Sequence, residues 1–150
     1  MSTLRWDIGS SLLTTHIAGA RLALAFGNRA LFELYVRVMR SRFNSEPGLA
    51  TNNLGWLLPK LKEWNLTIPF LLTPVNPSGF LMKPSQAECE ALLASTSSTI
   101  IADKVDAAAD PKRDTWDYLH RHKVRAAIVE FWDDASLAAN ITNAKKCLAS

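Results

Sequence analysis

The hydrophobic positions of this chain alternate between short apolar runs and helical three- and four-residue steps, so it divides into strand-like and helix-like stretches. The pivotal run is Ile68-Pro69-Phe70-Leu71-Leu72, whose apolar residues, bounded by Pro69 and Pro74, suit a strand covered on both faces, as in a parallel sheet. A rigid loop through Asn76, Pro77 and Gly79 follows. Ser85 with Glu88 then forms the signature of a capping box and opens a helix over 85–95, with Pro84 stopping the loop from running into it. The order strand, loop, helix returns twice more. Thr99 to Val105 is a second short buried strand, and Asp110-Pro111 starts a helix with an N-cap acid before a first-turn proline. Val124 to Trp132 is the last strand. Asp133-Asp134 caps the last helix, whose inward stripe is expected at Leu137, Ile141, Ala144 and Leu148.

Upstream, residues 1–9 carry no clear pattern, and Ser11 to Ile17 is the first strand candidate. Ala18 to Gly27 is ambiguous between helix and loop. From Asn28 the pattern sharpens: Leu31, Phe32, Tyr35, Val38 and Met39 predict an amphipathic helix that ends near Phe43. Residues 44–48 read as a loop. Leu54, Leu57, Leu58, Leu61 and Trp64 predict another helix, with Thr51 as its cap and Pro59 expected to kink or shorten it. The class is therefore α/β: four β/α units with parallel strands near 11–17, 69–75, 99–105 and 124–131, joined by right-handed crossovers. The same local signals allow a small open doubly wound sheet.

Composition narrows the reading further. A chain of 150 residues with 48% hydrophobic content suffices for one packed domain and is short for two. The net charge of +3 is small, but residues 1–65 hold eight Lys/Arg against four Asp/Glu, while residues 66–150 hold nine against ten. Arg29, Arg37, Arg40 and Arg42 lie along one predicted helix without interleaved stacking aromatics, so a solvated face explains them more simply than nucleic acid. Cys89 and Cys147 fall at apolar helix positions and read as buried free thiols in a reducing compartment. No apolar run is long enough for a membrane span, and the first residues, with Asp7 among them, lack a signal-peptide core. The expectation is a cytoplasmic protein that binds neither nucleic acid nor membrane.

Four β/α units look like half of a (β/α)8, or TIM, barrel. Thr73-Pro74-Val75-Asn76-Pro77-Ser78-Gly79-Phe80-Leu81-Met82 resembles a strand-end loop of barrel proteins. The stretch from Ala127 to Ile141 is similar in layout to the closing strand and helix of aldo-keto-reductase-like barrels, and the likeness covers roughly 68–148. At the phosphate-holding turn of that family this chain has Glu130-Phe131-Trp132-Asp133, and Tyr35 and Tyr118 both fall in helices, so the resemblance implies a fold and no activity.

In parallel α/β proteins ligands meet the carboxyl ends of the strands, which selects His16, Asn76, Asp103, Lys104, Asp106, Glu130 and Asp133. Lys104, His16 and Glu130 are the catalytic candidates; Asn76, Asp103, Asp106 and Asp133 would bind substrate. A lysine desolvated among carboxylates could form a Schiff base, although Lys104 paired with Asp103 or Asp106 is the plainer expectation. No metal-ligand spacing occurs, and no cofactor can be named. Two functions follow. One is a non-catalytic or degenerate half-barrel that self-associates as a homodimer, because four strands cannot close and would leave an apolar face uncovered. The other is a small lyase, aldolase-like or oxidoreductase enzyme that takes a small-molecule ligand at the strand ends.

Overall fold

The computed structural model describes residues 14–15, 24–105, 113–130 and 133–148. Strands and helices follow in the order β1 (Thr14–Thr15), α1 (Arg29–Phe43), β2 (Gly48–Ala50), α2 (Leu54–Glu63), β3 (Phe70–Pro74), α3 (Gln86–Ser95), β4 (Thr99–Asp103), α4 (Arg113–Arg121), β5 (Ala126–Ala127) and α5 (Asp134–Leu148). Every strand pair is parallel, and the sheet order is the chain order, β1-β2-β3-β4-β5. The expected α/β class stands. A doubly wound sheet reverses its strand order at a switch point; among the described strands this one does not reverse, and it is an open parallel sheet of β/α repeats.

The register lines the side chains into rows. Leu49, Leu71 and Ile100 are partners across β2, β3 and β4, as are Ala50, Leu72, Ile101 and Ala126 across β2 to β5. Successive strand residues point to opposite faces, so these two rows lie on different sides of the sheet. Leu49, Leu71, Ile100 and Ala102 are buried and share one core with Phe32, Leu57, Leu61, Leu93, Trp116 and Leu119 of the helices. Right-handed crossovers between strands that follow one another in the sheet place their helices on one side. The opposite row is less covered toward its far strands: Ala50 is buried, but Phe70, Leu72 and Ile101 are half-buried, and Ile128 just beyond β5 is exposed.

Local sequence accounts for most boundaries. The Asn28 side chain accepts the Leu31 N–H at 3.1 Å to cap α1, whose buried residues are Phe32, Val36 and Met39. Ser85 caps α3 by accepting the Glu88 N–H at 3.3 Å, and its hydroxyl donates to the Glu88 carboxylate at 3.0 Å. Asp133, just ahead of α5, accepts the Ser136 N–H at 2.7 Å. Several expectations change. The last strand, expected from Val124 to Trp132, forms only at Ala126–Ala127 among the described residues. Gly48–Ala50 is a strand where the loop was expected to lead into a helix. The cap of α2 is Asn53, which accepts the Trp56 N–H at 3.1 Å, while Thr51 accepts the Asn53 N–H in the turn before it. Pro59 does not shorten α2, which continues to Glu63. The inward face of α5 is turned from Ile141, which is exposed, to Asn140, Ala144, Cys147 and Leu148. The Asp110-Pro111 start and most of the 11–17 strand lie outside the described residues.

Candidate functional site at the carboxyl ends of the strands

β3 leads into Val75 and Asn76, both buried, and the Val75 N–H donates to the Asp103 carbonyl at 3.1 Å. The Asn76 amide is committed to its own loop. Its Oδ1 accepts from the Phe80 N–H at 2.8 Å and the Ser78 hydroxyl at 2.7 Å, and its Nδ2 donates to the Phe80 carbonyl at 2.9 Å. An asparagine that closes a turn in this way substitutes for backbone partners. Gly79, at φ +69°, supplies the left-handed step the turn requires. The far end of the loop lies on α2: the Gly55 N–H donates to the Lys83 carbonyl at 3.2 Å. A Cβ on Gly55 would stand 2.1 Å from Cδ of Pro84, so a glycine is required for that close approach.

At the end of β4, Asp103 Oδ1 accepts the backbone N–H of Lys104 at 2.8 Å. Lys104 itself has φ +51°, a left-handed conformation uncommon outside glycine and asparagine. That turn carries its side chain toward β5, where Nζ stands 4.0 Å from Glu130 Oε1. The ion pair thus forms with Glu130 rather than Asp103. Its two side chains are 43% and 72% exposed, so solvent screens it. Asp133 is fully committed to the start of α5, where the Ser136 backbone and side chain hold its carboxyl below the usual carboxylate range. His16 and Asp106 lie outside the described residues. Of the seven candidates, then, the structure links Asp103, Lys104 and Glu130 and gives Asn76 and Asp133 local structural tasks. Among the described residues no group of three His, Cys, Asp or Glu side chains could hold a metal ion. Among the described residues no helix is long and apolar enough to cross a membrane.

A polar cluster that sequence reasoning missed joins the outer helices. Tyr118 on α4 donates its hydroxyl to Glu90 Oε1 on α3 at 2.7 Å, and Gln86 Nε2 donates to the same oxygen at 3.0 Å. Gln86 also reaches the Pro77 carbonyl at 3.3 Å, which ties this cluster to the strand-end loop. His122 Nε2 is 3.9 Å from Glu90 Oε1, and its ring packs against that of Tyr118 at a tilt of 54°, with centroids 4.4 Å apart. The Tyr118 hydrogen bond, with help from Gln86, His122 and Arg121, holds the Glu90 carboxyl below its ordinary range; burial and the Glu90 bond push the Tyr118 phenol up. Burial likewise pushes up the Cys89 thiol, whose S–H faces the Lys83 carbonyl. The four-residue spacing of Gln86 and Glu90 was legible as one helix face, but Tyr118 is 28 residues away from Glu90. No family model, curated protein or solved structure matches the chain.

Proposed function

We propose that this chain is a half-barrel whose open sheet face is covered by a second copy, and that it works as a self-associating, non-catalytic protein. The observation that carries this is the half-covered apolar row of Leu72 and Ile101, with Phe70 beside it and exposed Ile128 near the strand ends. Two further features support it. Among the described strands the parallel sheet in chain order has two unlike edges, β1 and β5, and a twofold partner would set each β5 beside a parallel β1. The strand-end residues also have local partners: Asn76 holds a turn, Asp103 a backbone N–H, and Asp133 a helix start. A Schiff-base lysine needs a dry pocket or a neighbouring cation, whereas Lys104 is 43% exposed with a carboxylate beside it.

Sedimentation at micromolar concentration tests the proposal. The expected species is a dimer, and Leu72→Arg, which places a charge in the open row, is expected to dissociate it while the helical circular dichroism is retained. A folded 16.6 kDa monomer that binds no hydrophobic dye would overturn it, since the face would then be covered within one chain.

A further inference from the structure

At the opposite end of the strands the helices leave a cleft of about 560 Å³. This volume is within the range usual for small-molecule sites. It lies where α2 and α3 end and β3 and β4 begin. Its apolar lining includes Leu58, Leu61, Leu66 and Leu92. Hydroxyl groups on its rim are turned away into the backbone: Ser98 donates to the Ile68 carbonyl at 2.7 Å, and Ser95 to the Ala91 carbonyl at 3.1 Å. Those two donors are satisfied, so beside Leu61 and Leu92 the wall suits hydrocarbon, while Asn65, Thr67, Thr96 and Ser97 make the rest of the lining polar.

A second groove, along α1, shares Leu66 with this cleft and is lined by Val36, Arg37 and Arg40. The combined rim is basic. Arg40 is 3.1 Å from Glu46, and Glu33, the acid in the groove, is engaged by Arg29 at 2.6 Å. Lys62 lies at the first cleft, and its neighbour Glu63 is engaged by Lys60 at 2.7 Å. Among the described residues, Arg37 and Lys62 are thus the cations of these two grooves left to meet a negative group. An anion deep in the first cleft would face the carbonyl ends of α2 and α3, the negative ends of their dipoles. A hydrocarbon tail would not, and the last carbonyls there already accept bonds from Trp64, Asn65, Leu66 and Thr96.

We infer that these joined grooves bind a medium-chain amphipathic carboxylate, with its tail in the cleft beside Leu61 and Leu92 and its head group on the rim at Arg37 and Lys62. The site is independent of the sheet face proposed to mediate self-association. Charge complementarity selects the head group, and the apolar wall of Leu58, Leu61, Leu66 and Leu92 selects the tail.

Calorimetric titration of the intact chain with decanoate, kept below its micelle concentration, tests the inference. Saturable one-to-one binding is expected. Each methylene added from hexanoate upward should strengthen it about fourfold until the cleft is full, the gain from burying one such group. Arg37→Ala and Lys62→Ala should each weaken it up to about fivefold, the upper range for an exposed ion pair. Ser97→Trp, at an exposed rim position of the cleft, should block the tail and abolish binding with the circular dichroism unchanged. Absence of saturable decanoate binding overturns the inference. Equal affinity for decyltrimethylammonium also overturns it, as does binding to phosphatidylglycerol vesicles without binding to free decanoate.

Discussion

The two faces of this sheet are built from equally hydrophobic side chains and end in different states. Leu71 and Ile100, partners on the helix side, are buried at 0% and 3% exposure, while Leu72 and Ile101, their immediate neighbours in sequence, are partners on the other side and remain half-buried. Composition does not separate the faces; topology does. When strands enter the sheet in chain order, each crossover returns on the same side, and that side receives the helices. On the opposite side, Leu72 and Ile101 keep part of their apolar surface exposed among the described residues. Hydrophobicity read along a strand therefore says that both faces want cover, and only the strand order says which one receives it.

The largest test of this contrast is a pair of adjacent truncations. Leu71→Ala is expected to cost about 2–5 kcal/mol, the usual cost of emptying a packed core site. Leu72→Ala should cost less than about 1.5 kcal/mol, because less apolar surface returns to water. Urea unfolding at concentrations that keep the chain monomeric measures both. Equal costs would show that the two faces are equally covered and would break the comparison.

A smaller effect is expected from the polar link between the helices on the covered side. Tyr118→Phe removes the 2.7 Å bond to Glu90 and should cost about 1 kcal/mol at neutral pH, a typical net hydrogen-bond contribution. The sign with pH is fixed by Glu90. Its carboxyl is held lower in the folded chain than unfolded, so its contribution is present above the usual carboxylate range and is lost as pH falls through the lowered value. Unfolding curves of the native chain and Tyr118→Phe should therefore converge toward acid pH. A constant gap would remove Glu90 from the explanation.

The smallest effect belongs to the ion pair at the carboxyl edge. Lys104→Ala should change stability by no more than about 0.5 kcal/mol, since Nζ and Glu130 meet at 4.0 Å in solvent. Borohydride reduction in the presence of a small carbonyl compound should leave Lys104 unmodified, as read by peptide mass spectrometry. A trapped adduct at Lys104 would give the strand ends a catalytic role.

Much of this fold was legible because local chemistry and tertiary structure agree. Asn28, Ser85 and Asp133 all begin helices as their side chains dictate, and the proline-bounded run at Phe70 is a strand, although Phe70 and Leu72 are only half-buried where cover on both faces was expected. Gly48-Leu49-Ala50 was not legible as a strand, because glycine and alanine pack poorly in isolated strands and three residues show no period. Its pairing with β1 and β3 makes it one. Ile141 failed for the opposite reason: a hydrophobic stripe drawn on α5 cannot show which side α4 occupies, and the helix is rotated so that Asn140 is buried instead. At the candidate site, residue type pointed to the right strand ends but not to partners. Asn76 could have faced a ligand, and only the positions of Ser78 and Phe80 show that its amide is occupied.

Because spatial order equals chain order, synthesis and assembly run in the same direction. Each strand leaving the ribosome finds its pairing neighbour already made: β4 meets β3, and β5 then meets β4, with no later strand needing to insert between them. A sheet whose order reverses would hold an early edge open until a distant strand arrived. Here the exposed edge advances with the growing chain, so any period in which a strand waits for its partner is short, as is the chance of pairing with a neighbouring nascent chain.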